Sequence, residues 1–217
     1  MGKTEPAVLL DSPAKPFARL LLAHGAGAPM DSPFMNDVAA ALAQEGVEVV
    51  RFEFPYMAER RIAGKRRPPD RTEKLLATWD EFIQRYSKKS RLPLWIGGKS
   101  MGGRMATLWA AQLQDHSVKG VICLGYPFHP PGKPAQLRIE HLPQIKIPVL
   151  MVQGERDSLG SREEVGTYKN LGKSVSIKWM ATANHDLKPL RSSGLSHAES
   201  IVTIARWSAE YIRGKQI

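Results

Sequence analysis

Three side chains in this chain have the types and the order needed for nucleophilic acyl transfer: Ser100, Asp157 and His185. A serine hydroxyl is a poor nucleophile at neutral pH and needs a base within hydrogen-bond reach; a histidine base in turn needs a carboxylate to fix its tautomer. Ser100 lies at the centre of Gly98-Lys99-Ser100-Met101-Gly102, a G-x-S-x-G pattern. An apolar run, Leu94-Trp95-Ile96, leads into it, and Met101, Met105, Leu108 and Trp109 leave it at helical spacing. Strand, sharp turn and helix expose a serine at the top of a sheet and aim free helix N–H groups at the place where negative charge develops. The pattern alone is cheap. Gly194-Leu195-Ser196-His197-Ala198 nearly repeats it with no strand before it.

The weight comes from the partners. Asp157 follows the apolar run 149–152, and His185 follows the run 175–180. His116, His129 and His141 precede Asp157 and break the order Ser, Asp, His, while His197 opens the last helical pattern. Glu155 and Asp186 are rivals to Asp157, which is preferred because it clears its strand by enough residues to turn toward a neighbouring loop. An oxyanion also needs two N–H donors. The amide of Met101 is one, and the small-residue turn His24-Gly25-Ala26-Gly27 supplies the other, assigned to Ala26. His24 reads as a structural member of that turn. This chemistry requires no metal or organic cofactor.

The elements that must hold these residues alternate along the chain. Strands are expected over 7–10, 18–23, 47–54, 92–96, 118–124, 149–152 and 175–180. Helices are expected from Ser32-Pro33 to Gly46, over 71–88, from Met101 to about Asp115, over 162–171 and over 197–213. The stretch 127–148 is proline-rich, shows little periodicity and holds at most a short helix. Such alternation predicts an α/β fold: a mostly parallel, doubly wound sheet of six or seven strands, helices on both faces and a minimal cap. Ligand sites in such sheets lie beyond the carboxyl ends of the strands, where all the suspicious residues fall. With 217 residues and no internal repeat or linker, one domain over 1–217 is expected.

Composition narrows the classes. No apolar run approaches the roughly 20 residues that span a bilayer. Met1-Gly2-Lys3-Thr4-Glu5-Pro6 has no apolar signal core, and Pro6 stands where a myristoylation signal wants Ser or Thr. The single cysteine, Cys123, lies in an apolar run and reads as a buried structural thiol. A cytoplasmic protein without membrane association is expected. The net charge is +10, with Arg60, Arg61, Lys65, Arg66, Arg67 and Arg71 crowded against Asp70 in a stretch read as loop. No aromatic residues interleave with these charges and no nucleic-acid-binding motif accompanies them, so nucleic acid is not expected as a partner. Two uses remain for this basic loop 60–71: selection of anionic substrates through Arg60, Arg61 and Arg66, or docking of an acidic partner.

Together these residues resemble the α/β-hydrolase superfamily over nearly the whole chain. More narrowly, the chain is similar to the small, nearly capless hydrolases of the dienelactone-hydrolase-like kind, and within them to a bacterial group related to a eukaryotic chromatin-complex subunit. The narrower likeness is carried by His24-Gly25-Ala26-Gly27, Arg51-Phe52-Glu53-Phe54-Pro55-Tyr56, Gly98 to Arg104, Gly154-Glu155-Arg156-Asp157 and Asn184-His185-Asp186. The resemblance implies Ser100, Asp157 and His185 as a triad and the Ala26 and Met101 amides as an oxyanion hole. True dienelactone hydrolases use a cysteine nucleophile; serine here sets dienelactone itself apart as a substrate. The first strand of the full eight-stranded sheet is missing. The expected activity is hydrolysis of a small ester or thioester through an acyl-serine intermediate. The alternative is a hydrolase-fold interaction module, and oligomeric state is left open.

Overall fold

Apolar runs too short for helices become strands here because they are buried on both faces. In the computed structural model, which describes residues 7–88, 91–112 and 117–215, seven strands form one sheet. They are β1 (Val8–Asp11), β2 (Ala18–Ala23), β3 (Val47–Phe52), β4 (Leu94–Lys99), β5 (Val118–Leu124), β6 (Val149–Gly154) and β7 (Val175–Met180). Their order is β1-β3-β2-β4-β5-β6-β7, and only β1 runs antiparallel to its neighbour. Alternate residues feed two cores. Leu21, Ala23, Val50, Phe52, Ile96, Val121, Cys123 and Met151 face one side. Leu20, Leu22, Val49, Trp95, Ile122, Leu124 and Leu150 face the other. This period of two, with both sides apolar, is what a covered parallel sheet requires.

Among the described residues six helices cover it: α1 (Pro33–Gln44), α2 (Pro55–Ala63), α3 (Thr72–Ser87), α4 (Met101–Ala111), α5 (Arg162–Val165) and α6 (His197–Gly214). On the first side, α3 buries Leu75, Trp79, Phe82 and Ile83, and α4 buries Met105, Ala106 and Ala110. Phe52 stacks on Phe82 with centroids 4.2 Å apart and meets the edge of Trp79 at 4.9 Å. Each such pair is worth about 1 kcal/mol beyond its buried area. On the second side, α1 and α6 pack together through Val38, Leu42, Ile201, Ala205 and Ile212. A reciprocal cap between Ser196 and Glu199 starts α6. Cys123 is fully buried, and burial pushes its thiol pKa up. No helix among the described residues is long and apolar enough to cross a membrane.

The sheet agrees with the expected fold class. The helices differ in two places. Residues 60–63, expected as loop, form the last turn of α2. The strand expected over 47–54 ends at Phe52, and Pro55 starts the next element, since its fixed φ and missing N–H suit a first helical turn. Tyr56 and Met57 are buried, and Gly64, with φ +65°, donates its N–H to Arg60 O at 2.9 Å and closes the helix. The helix expected over 162–171 stops at Val165, where Gly166 follows. The helix after Ser100 is described to Ala111, so the expected end near Asp115, like His116, lies outside the described residues.

The chain leaves β2 for β3 on one side, then crosses back to β4 on the other side of β2. This reversal makes the β2–β4 junction the switch point of the sheet, where a crevice opens beyond the strand ends. The turn His24–Gly27 and Ser100 leave the two strands that flank it.

Candidate active site

Ser100 follows β4 in a backbone conformation that side-chain-bearing residues rarely adopt, φ +50° and ψ −114°. Strain of this kind costs on the order of 1–3 kcal/mol and is held by surrounding packing. The flanking glycines are what permit it. A Cβ on Gly98 would lie 2.6 Å from Ala23 O and 2.7 Å from the Gly102 carbonyl carbon; one on Gly102 would lie 2.6 Å from Ala23 O. Backbone atoms cannot yield at such distances, so both positions exclude any larger residue. The turn is locked from outside as well, by Ser100 N donating to Leu124 O at 2.9 Å.

The structure brings Ser100, His185 and Asp157 into one hydrogen-bonded line. Ser100 Oγ lies 2.9 Å from His185 Nε2. His185 Nδ1 lies 2.8 and 3.0 Å from the two oxygens of Asp157. A carboxylate can only accept, so Nδ1 carries the proton and Nε2 is left as an acceptor for the serine hydroxyl. The Asp157 side chain is wholly inaccessible and accepts from Gln153 Nε2 and from Leu159 N, each at 2.8 Å. Gln153 is itself fixed, its Oε1 accepting from Tyr126 N at 2.7 Å. The rivals to Asp157 are placed otherwise. Glu155 accepts from Thr182 N and from Arg162, which hold its carboxyl below the usual range. Asp186 lies beside Lys99.

The turn after β2 is held by its neighbours. His24 is buried; its Nε2 accepts from Phe54 N at 3.1 Å and its Nδ1 donates to Gly25 O at 2.6 Å. Burial lowers its pKa, consistent with this neutral tautomer. Tyr56 Oη donates to Ala26 O at 2.9 Å, and Arg60 Nη1 donates to Gly27 O at 3.1 Å. In a trans peptide the N–H points opposite to the carbonyl. With Gly25 O tied to His24, the Ala26 N–H is fixed in the opposite sense. Ala26, Met101, Ser100 and His185 line one cleft of about 570 Å³.

The arginines expected to receive substrate lie elsewhere. Arg61 forms a two-bond pair with Asp31 at 2.8 and 2.9 Å and a second pair with Glu53 at 2.6 Å. Arg60 braces the Ala26 turn, and Arg66 lies exposed in the segment after α2; none of the three lines the cleft. The helical form of 60–63 is the reason, because it turns Arg60 and Arg61 toward the Ala26 turn and toward the acids Glu53 and Asp31. The cleft arginines are Arg104 and Arg138. Arg104 follows the serine by one helical turn, a spacing that could have singled it out. Arg138 sits in the proline-rich segment, where no periodicity marks it.

Lys99, the variable residue inside the motif, has no sequence signal for a role at the site. It is buried, its Nζ donates to His185 O at 2.8 Å, and it lies 5.7 Å from the Phe34 ring centroid. Burial lowers its pKa, opposed by the charges of Asp186 and Asp157. The bond clamps the loop that carries His185. Lys99→Met should therefore lower kcat for a p-nitrophenyl ester by about 10- to 100-fold, the cost of a misplaced base, with KM changed little. A KM increase of the same size with unchanged kcat would contradict this positioning role.

A second histidine sets acid sensitivity. His141 accepts or donates at 2.9 Å with Thr107 Oγ1, and burial, then the charge of Arg104, pushes its pKa down to about 4. Between that value and its ordinary 6.5 the unfolded chain binds a proton that the folded chain does not. Stability is thus full above pH 6.5 and lost as pH falls toward 4, by roughly 2 kcal/mol from this residue once its partial exposure is allowed for. His141→Gln should flatten the pH dependence of urea unfolding across that interval. An unchanged slope would refute the assignment.

A family model described as an alpha/beta hydrolase domain matches residues 16–213. Among solved structures, dienelactone hydrolase from Anabaena variabilis is 21% identical, with a TM-score of 0.71 over 95% of this chain and 90% of that one. Est1E from Butyrivibrio proteoclasticus, solved with ferulic acid bound, is 17% identical, with a TM-score of 0.71 over 95% of each chain. An alpha-beta serine hydrolase homologue from Coxiella burnetii is 19% identical, with a TM-score of 0.66 over 94% of this chain and 90% of that one. At these identities the likeness is one of fold.

Proposed function

The chain belongs to the alpha/beta hydrolase domain family, and on that basis we propose that it is a serine hydrolase cleaving a small ester or thioester through an acyl-serine intermediate. The observation that carries this reading is the line from Asp157 through His185 to Ser100 Oγ, with hydrogen-bond distances of 2.8 to 3.0 Å. As Ser100 Oγ attacks the carbonyl, His185 Nε2 takes its proton, and Asp157 stabilises the imidazolium. The oxyanion is received by the N–H groups of Met101, at the start of α4, and Ala26. When the tetrahedral adduct collapses, the alcohol or thiol leaves with the proton from His185. The same nitrogen then deprotonates water, which attacks the acyl carbon and frees Ser100.

The open cleft suits a small substrate, as the names of the esterase and dienelactone hydrolase neighbours would suggest. Docking of an acidic partner on residues 60–71 is less well supported. Arg61 is paired with Asp31 and Glu53, and Arg67 with Glu59, which leaves less of this charge for a partner. The test is labelling by a fluorophosphonate probe, which esterifies activated serines. Wild type should label and Ser100→Ala should not. Equal labelling of both would overturn the assignment of the nucleophile.

A further inference from the structure

The cleft holds positive charge that acyl transfer does not use. Arg104 stands four residues past Ser100 on α4, its backbone N–H bonded to Ser100 O at 3.0 Å. Arg138 comes from the segment between β5 and β6 with its backbone pinned twice. Its N–H donates to Phe128 O at 2.8 Å, and Tyr126 Oη donates to its carbonyl at 2.8 Å. Both residues line the cleft with Ser100.

Among the described residues, neither guanidinium is balanced by an acid. Arg104 Nε is buried and has no hydrogen-bond partner among them, an arrangement that costs free energy unless something arrives to accept from it. Burial and the charge of Arg104 together depress the pKa of Arg138, as expected for two cations held near each other. The neighbouring His141 is neutral near pH 7 and supplies no counter-charge. The two carboxylates of the cleft are committed elsewhere. Asp70 accepts from Tyr56 N at 2.9 Å and from Lys74 Nζ at 3.0 Å, and Asp186 lies 3.6 Å from Lys99 Nζ.

We propose that Arg104 and Arg138 form an anion subsite in this cleft, and that the substrate is an ester carrying a carboxylate within a few bonds of the scissile carbonyl. A guanidinium presents paired N–H donors in a plane that matches a carboxylate, and two cations beside one anion replace mutual repulsion with attraction. Arg104 follows Ser100 by four residues, about 6 Å of helical rise, and both line the same cleft with Arg138, so the carboxylate is placed only a few bonds from the carbonyl. The proposal rests on Ser100 being the nucleophile, and its test separates the two.

The first measurement compares kcat/KM for the mono-p-nitrophenyl ester of glutaric acid with that for its neutral methyl ester. A parallel pair, 4-carboxyphenyl and 4-carbamoylphenyl butyrate, places the charge on the leaving group instead. Wild type should prefer the acid of one pair about tenfold or more, and the preferred pair says on which side the carboxylate sits. Arg104→Gln and Arg138→Gln should each lower that preference about tenfold through KM of the charged ester, and Arg138→Lys should restore part of it. Should a glutamine variant fail to fold, wild type still decides: added salt should raise KM for the acid and not for the neutral ester. No preference for the acid in either pair would overturn the subsite.

The second measurement is calorimetric binding of glutarate to Ser100→Ala, expected to saturate and to be lost when Arg138→Gln is added. Binding by a protein whose wild type hydrolyses no ester would keep the subsite and refute the hydrolase. Hydrolysis of neutral esters without glutarate binding would do the reverse.

Discussion

Ser100→Ala should lower kcat/KM for a p-nitrophenyl ester by about 10⁴-fold or more while leaving the protein folded. The methyl group of alanine occupies less space than the hydroxymethyl and makes no new contact, and the packing that holds the turn comes from Gly98, Gly102 and the Ser100 N–H to Leu124 O bond. The substitution therefore removes the attacking atom and spares its scaffold. Relief of a polar group from a strained turn leaves stability within about 1 kcal/mol of wild type. Residual hydrolysis would come from the Met101 and Ala26 amides acting on bound substrate with water as nucleophile. Steady-state kinetics with a thermal melt separates the two effects. A loss of less than tenfold in a fully folded protein would show that Ser100 is not the nucleophile.

Asp157→Asn should cost about 10³- to 10⁴-fold in kcat, by a different route. The amide has one acceptor oxygen where the carboxylate has two. Three donors now converge on Asp157: His185 Nδ1, Gln153 Nε2 and Leu159 N. With asparagine, the NH₂ group must face one of them. If it faces His185, it forces Nδ1 to accept and moves the ring proton to Nε2, which then cannot take the proton of Ser100. If it faces Gln153 or Leu159, a buried donor is left unpaired, at about 1–3 kcal/mol of stability. Activity and urea unfolding measured together distinguish these outcomes. Glu155→Gln is the control: its carboxylate serves Arg162 and Thr182 N outside the cleft, so kcat should hold within about twofold. The reverse pattern, a loss with Glu155→Gln and none with Asp157→Asn, would move the acid to Glu155.

Much of the fold was legible because burial writes itself into the strands. The runs 18–23, 118–124 and 175–180 match β2, β5 and β7 in full, each apolar enough that no other element would bury it. The line Ser100, His185 and Asp157 was legible because each residue follows a strand, and strand ends in a parallel sheet gather at one rim. The arginines show where that logic fails. Charge clusters in 60–71, but Arg61 pairs with Asp31 and Glu53, and Arg67 with Glu59, and neither lines the cleft. Arg104 and Arg138 are single arginines 34 residues apart in sequence, joined only by how α4 and the segment after β5 pack beside Tyr126. Lys99 was hidden for a similar reason. Its partner, His185 O, lies 86 residues away and on another strand end.

The G-x-S-x-G turn also takes on a more definite meaning. It is a strained serine held between two glycines that admit no Cβ, with a lysine beneath that grips the histidine loop. In the proposed function these parts serve one event, formation of an ester on Ser100. The most direct measurement of that event is intact-protein mass spectrometry of wild type mixed with a p-nitrophenyl ester and quenched in acid within the first turnover, followed by peptide mapping. One acyl group on the peptide containing Ser100, absent from Ser100→Ala, is the predicted result. An acyl group on any other residue, or sustained hydrolysis by Ser100→Ala at the wild-type rate, would contradict the account.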